Sequence, residues 1–164
     1  MTKVLAGHRA PDFALPDLNG KSYSLSSILS RGPLVVAFFK VSCPVCHFTF
    51  PFLERLNRAY GSQGISIWGI SQDDTRDTKD FCKEFGVTFP VLLDSEGYAV
   101  SNTYGLTNVP TVLLIAPTGE TKVSFTGFDK AGLERIAREL GGYLGKEPSP
   151  VFLPGELVPD YKPG

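Results

Sequence analysis

Leu34-Val35-Val36-Ala37-Phe38-Phe39-Lys40-Val41-Ser42-Cys43-Pro44-Val45-Cys46 runs from an apolar segment straight into a closely spaced cysteine pair. Leu34 to Lys40 is rich in β-formers and apolar up to the lysine. That is the pattern of a strand covered on both faces, near the centre of a mixed or parallel sheet. From Cys43 onward Phe48, Phe52, Leu53, Leu56 and Tyr60 recur at helical spacings and stop near Gly61, so a helix follows the strand. Pro51 lies inside that helix and is expected to kink it, because its ring removes a backbone donor. Two cysteines at the head of a helix, with Pro44 and Val45 between them, can close a reversible disulfide across one turn. The first lies where free backbone N–H groups and the positive end of the helix dipole favour a thiolate. Residue type and placement together point to dithiol redox chemistry.

Outward from this segment, strand and helix signals alternate. Residues 1 to about 30 read as an irregular arm with a hairpin, Phe13-Ala14-Leu15 against Tyr23-Ser24-Leu25, turned at Asn19-Gly20. Ile65 to Ile70 alternates like a strand. Asp73 and Asp74 then offer N-caps for a helix through about Phe85, closed by Gly86. Phe89 to Leu93 is a further strand, followed by a turn and a short helix-like piece ending near Tyr104. Thr111–Ala116 and Glu120–Phe125 flank Pro117-Thr118-Gly119 as an antiparallel hairpin. A last helix starts at an Asp129 cap and presents Leu133, Ile136, Ala137, Leu140 and Leu144 on one face. The sum is an α/β fold, a central mixed β-sheet flanked by helices with an N-terminal hairpin extension. We expect one domain over residues 1–145 and a proline-rich tail over 146–164. Prolines 148, 150, 154, 159 and 163 oppose regular structure there. Val151, Phe152, Leu153, Leu157 and Tyr161 make an extended strap on the domain surface the better reading than a flexible linker.

With 16 Lys+Arg against 17 Asp+Glu in 164 residues, the formal charge is −1. No basic stripe argues for nucleic acid, and no polybasic cluster argues for a membrane surface. Met1 to Pro16 has no signal-peptide core, and no apolar run approaches the roughly 20 residues of a membrane span. A soluble, cytoplasmic protein is the expectation. Three cysteines are too few for a disulfide scaffold, so the close pair is catalytic or metal-binding rather than structural. Zinc would need a second ligand pair that the chain does not offer. Cys43-Pro44-Val45-Cys46-His47 also spells a c-type haem attachment motif, but the other potential axial ligands are only Met1 and His8. No metal and no cofactor is therefore expected. Cys82, beside Phe81 and Phe85, reads as a small buried hydrophobe. His47 reads as lying on the exposed helix surface.

The segments APDFALPDLNGKSYSLSSI (10–28), LVVAFFKVSCPVC (34–46) and NVPTVLLIAPTGE (108–120) resemble the thioredoxin-like redoxins. The likeness is to the TlpA-like thiol–disulfide oxidoreductases and the neighbouring AhpC/TSA peroxiredoxin branch, and it covers about Ala6 to Gly145. It implies a thioredoxin fold and a thiol:disulfide oxidoreductase. Cys43 would be the nucleophile, Cys46 the more buried second thiol, and the two would form the redox-active disulfide. Pro110 would be a cis-proline against the CxxC turn, and Val109 would present its carbonyl and N–H to a substrate chain. Lys40, at the strand end, is the nearest cation. The implied partners are a disulfide- or thiol-bearing protein and an upstream thiol reductant.

Some positions depart from the family pattern. Thioredoxins carry a buried Asp where this chain has Ala37, and TlpA-like proteins carry a Glu where it has Thr49. The usual Trp before the first cysteine is Ser42. No proton acceptor for Cys46 is identifiable from the sequence. Two alternatives follow. One is an antioxidant thiol peroxidase with Cys43 peroxidatic and Cys46 resolving. The peroxiredoxin Pro-x-x-x-Thr/Ser-x-x-Cys loop, however, has Val36 and Lys40 at its key places. The other is a redox-inert binding module on a thioredoxin scaffold, which the intact cysteine pair disfavours.

Overall fold

A computed structural model describes residues 2–164. β1 (Ala14–Pro16) and β2 (Ser22–Ser24) form the N-terminal hairpin, and α1 (Leu25–Leu29) follows directly. The hairpin lies where the sequence places it, but Leu25 starts a helix instead of ending a strand. Ser24 is extended and its side chain accepts from the Ser27 N–H (3.2 Å), an N-cap that turns the chain at that residue. β3 (Leu34–Phe39), α2 (Pro44–Tyr60), β4 (Ser66–Ser71), α3 (Thr75–Glu84), β5 (Val91–Leu93) and α4 (Ala99–Thr103) come next. β6 (Thr111–Ile115), β7 (Thr121–Thr126), β8 (Phe128–Asp129), α5 (Lys130–Leu144) and β9 (Tyr161–Lys162) complete the chain. β5 begins later than Phe89 because Pro90 has no N–H to give a ladder; its carbonyl still accepts from Gly69 (3.0 Å).

The five-stranded sheet has the order β5-β4-β3-β6-β7. β3 pairs in parallel with β4 (Val36 opposite Trp68), and β4 in parallel with β5. On the other side β6 is antiparallel to β3 (Ala37 opposite Val112), and β7 is antiparallel to β6. This is the mixed sheet of a thioredoxin fold. Every residue of β3 is buried, as a central strand covered on both faces requires. Its side chains divide by parity. Val35, Ala37 and Phe39 enter a core with Cys46, Phe50 and Leu53 of α2 and with Leu133 and Ile136 of α5. Leu34, Val36 and Phe38 enter a second core with Phe13, Leu25, Trp68 and Tyr104. Each fully buried Leu, Ile or Phe contributes roughly 1.5–3 kcal/mol. The N-terminal arm closes the second core and is tied to the sheet by Ala10 N–H to Gly119 O (2.9 Å) and Thr121 N–H to His8 O (2.8 Å).

After Gly145 the chain runs across the face formed by α2 and α5. Ser149 N–H donates to the Tyr60 hydroxyl (2.8 Å), and Val151 is buried. Phe152 packs against Phe52 and Phe128, with ring centres 5.0 and 6.1 Å away. The Arg55 guanidinium donates to the Val151 carbonyl (3.0 Å) and to both oxygens of Glu156 (2.7 and 2.6 Å). The prolines do not abolish all regular structure, as the composition suggests they should. Between Pro159 and Pro163, β9 pairs antiparallel with β8, Lys162 opposite Phe128 and Tyr161 opposite Asp129. The residues between the two prolines keep both backbone groups.

Candidate active site

The CxxC turn lies at the carboxyl end of β3, where the parallel strands β3 and β4 both finish. Crevices beyond the strand ends are where open α/β sheets hold their chemistry. Cys43 is the N-cap of α2. Its N–H donates to Lys40 O (3.2 Å), and its extended backbone stops the turn from joining the helix. Pro44 occupies the first helical turn, where a missing N–H costs nothing. The Cys46 N–H donates to Cys43 Sγ (3.2 Å), so a free helix amide points at that sulfur. Cys43 is half-buried, whereas Cys46 is wholly enclosed by the core around α2. Cys46 is held well above the usual thiol range, first by burial, then by its hydrogen bond with Cys43; the Lys40 backbone partly opposes this. Pro44 is exposed and Val45 half-buried, so the turn between the cysteines faces outward.

Facing the cysteines across the site is the loop before β6. The Val109–Pro110 bond is cis, and the Cys43 thiol points at the Val109 carbonyl (3.5 Å). The chain thus brings Cys43, Cys46, Val109 and Pro110 together although more than sixty positions separate the two segments. Lys40 stands exposed at the end of β3. With Gln72, Leu106, Thr107, Asn108 and Val109 it lines a shallow cavity of about 230 Å³ beside the turn. Its ammonium makes no ion pair among the described residues, and its part in the turn is its carbonyl.

His47 corrects the sequence reading. It is half-buried, its ring stacks on Phe85 (4.7 Å between centres), and its Nε2 meets the Val41 carbonyl (2.5 Å). The helical spacing left its face open; the aromatic pair Phe81 and Phe85 on α3 is what draws it inward. Asp73 is a site residue that the sequence suggested only as a helix cap. Asp74 takes the cap, accepting from Asp77 N–H (2.8 Å), while Asp73 Oδ2 accepts from Val41 N–H (2.8 Å). The signal was available: Asp73 lies just past the end of β4, the parallel neighbour of β3. Ala37 and Thr49 are both buried, and Thr49 spends its hydroxyl on the Val45 carbonyl (2.7 Å). Asp73 is the carboxylate whose charge reaches Cys46. Val36, at the place of the peroxiredoxin proline, points into the opposite core from the cysteines. Cys82 is half-buried against the α2 core, and burial pushes its thiol up to about 11.

The chain is similar to known proteins in sequence and in fold. The chain is 33% identical over 136 residues to the thiol-disulfide oxidoreductase ResA of Geobacillus kaustophilus, covering 82% of this chain and 77% of that protein. Against ResA of Bacillus subtilis it is 33% identical over 125 residues, 76% of this chain and 69% of the relative. A crystal structure of a candidate thiol:disulfide interchange protein DsbE from Chlorobium tepidum superposes with a TM-score of 0.77 at 27% identity. The match spans 87% of this chain and all of that one. The AhpC/TSA family profile matches residues 6–124, from the N-terminal arm through β3 and the CxxC turn into β7, and the chain belongs to the AhpC/TSA family.

Proposed function

We propose that this thiol-disulfide oxidoreductase works through Cys43 and Cys46, exchanging their disulfide or dithiol with a protein partner. The observation that carries the assignment of roles is the asymmetry of the pair. Cys43 Sγ is half-buried and receives a helix amide at 3.2 Å; Cys46 is enclosed and kept protonated by burial. In the reducing direction, the Cys43 thiolate attacks one sulfur of the partner's disulfide, forming a mixed disulfide and releasing the other sulfur as a thiolate. Cys46 then loses its proton and attacks Cys43 Sγ, which closes the Cys43–Cys46 disulfide and frees the reduced partner. A thiol reductant reopens the disulfide. Val109 and Pro110 form the opposite wall, and the Val109 backbone receives the partner's chain. Pro44 and Val45 present the outward turn.

Limiting iodoacetamide near neutral pH tests the roles. Cys43 should carry nearly all of the label, and Cys46→Ser should accumulate mixed disulfides through Cys43. Label appearing first on Cys46 would reverse the assignment.

A further inference from the structure

We propose that the segment Asp160–Gly164 occupies the groove in which this chain's redox site receives a partner polypeptide, as an intramolecular strap that a protein disulfide must displace to reach Cys43. The inference rests on the reading above that Val109 receives the partner's chain.

Gly164 lies against the carbonyl to which Cys43 points. The Gly164 backbone is packed so closely on the Val109 carbonyl that a Cβ there would clash with it. Gly127, which donates from its N–H to Pro110 O (2.8 Å), is as close to the strap: a Cβ there would clash with Lys162 O. The segment therefore lies, open to solvent, alongside the loop before β6 and the start of β8. It lies there as an extended strand, paired at Phe128–Lys162 and Asp129–Tyr161, with Lys130 N–H donating to Asp160 O (3.0 Å). Adding a strand to an open edge is also how an extended peptide docks on a sheet. The Lys162 ammonium stands 5.0 Å over the ring of Phe48, two positions beyond Cys46 on α2.

The strap is fixed at its root and lightly held at its tip. The root has the buried Val151, the Phe152 contacts and the two-pronged Arg55–Glu156 pair. Leu157 is 99% exposed, and every residue from Pro159 to Gly164 is exposed. What holds the tip is a short backbone ladder and one solvent-exposed cation–π contact. The tip can lift without unpacking a core residue.

The test is single-turnover oxidation of the pre-reduced protein, with insulin as polypeptide disulfide and cystamine as small disulfide. Four measurements are compared: the full chain, a chain shortened by residues 160–164, full-length Lys162→Glu, and the shortened chain with a synthetic peptide of residues 158–164. Shortening should raise the insulin rate about tenfold, the order expected when a few backbone hydrogen bonds and a cation–π contact no longer have to break. Lys162→Glu should raise it in part, and the free peptide should slow the shortened chain again. Cystamine rates should agree within about twofold, since a small disulfide needs no polypeptide groove. An unchanged or slower insulin rate in both altered chains overturns the strap, a slower one showing that the segment helps to build the groove. If the shortened chain does not fold, Lys162→Glu decides. Failure of the full chain to react with cystamine would instead remove the dithiol chemistry on which the proposal stands.

Discussion

Val41, two positions before Cys43, is held at both of its backbone polar groups by side chains, one from α2 and one from beyond β4. Asp73 accepts from its N–H at 2.8 Å and His47 Nε2 meets its carbonyl at 2.5 Å. A loop that carries a nucleophile needs such fixing, because its own backbone has no ladder partners there. His47→Ala should cost about 1–2 kcal/mol in chemical denaturation, from one lost hydrogen bond and a ring stacked on Phe85. Asp73→Asn should cost a comparable amount. Because the two act on the same residue, the double variant should cost measurably less than the sum of the singles. Full additivity would show that the two contacts act independently of the loop.

At the scale of elements, the root of the C-terminal segment carries, beside its apolar contacts, one ion pair to α2. The Arg55 guanidinium beside Glu156, with help from the Leu153 N–H, holds the Glu156 carboxyl down from 4.5 to about 2. A carboxylate lowered on docking stabilises the docked form fully above its ordinary value and loses that contribution as pH falls through the lowered one. The segment should therefore stay docked at neutral pH and loosen progressively between about pH 4.5 and 2. Amide exchange of residues 149–156 followed by NMR should show protection falling in that window. In Glu156→Gln the same segment should be less protected at pH 7, with a flatter acid response. Protection that ignores pH across the window would remove the pair as the tether.

At the scale of the whole molecule, the division of β3 between two cores places Val36 and the cysteines on opposite sides of the sheet. The cysteines open on the α2 side, whereas Val36 faces Trp68 and the N-terminal arm. Lys40, where a peroxidase would have its hydroxyl, is an exposed strand-end cation. With Val36 and Lys40 at the places of the peroxiredoxin proline and hydroxyl, Cys43 should react with hydrogen peroxide about as fast as an ordinary thiolate at the same pH. Stopped-flow oxidation monitored by sulfenic acid trapping checks this. A rate faster by several orders of magnitude would favour the peroxidase reading.

Local pattern was enough for β3, for the helix that begins beside Cys43, for the β6–β7 hairpin and for the cysteine pair, because each is written in contiguous residues. A six-residue apolar run rich in β-formers fits a strand buried on both faces, and a helix cap beside a CxxC specifies its own turn. Contiguity also explains what was not legible. Leu25 reads equally well as strand or helix until Ser24 adopts the cap, and His47 is turned inward only by aromatic residues on α3. Asp73 reaches Val41 because parallel pairing of β3 and β4 brings their ends side by side. The proline-rich tail had apolar residues enough to promise a strap. Its path beside Val109 was decided by tertiary structure alone, since backbone pairing with β8 and close contact between glycines leave no periodicity in a sequence.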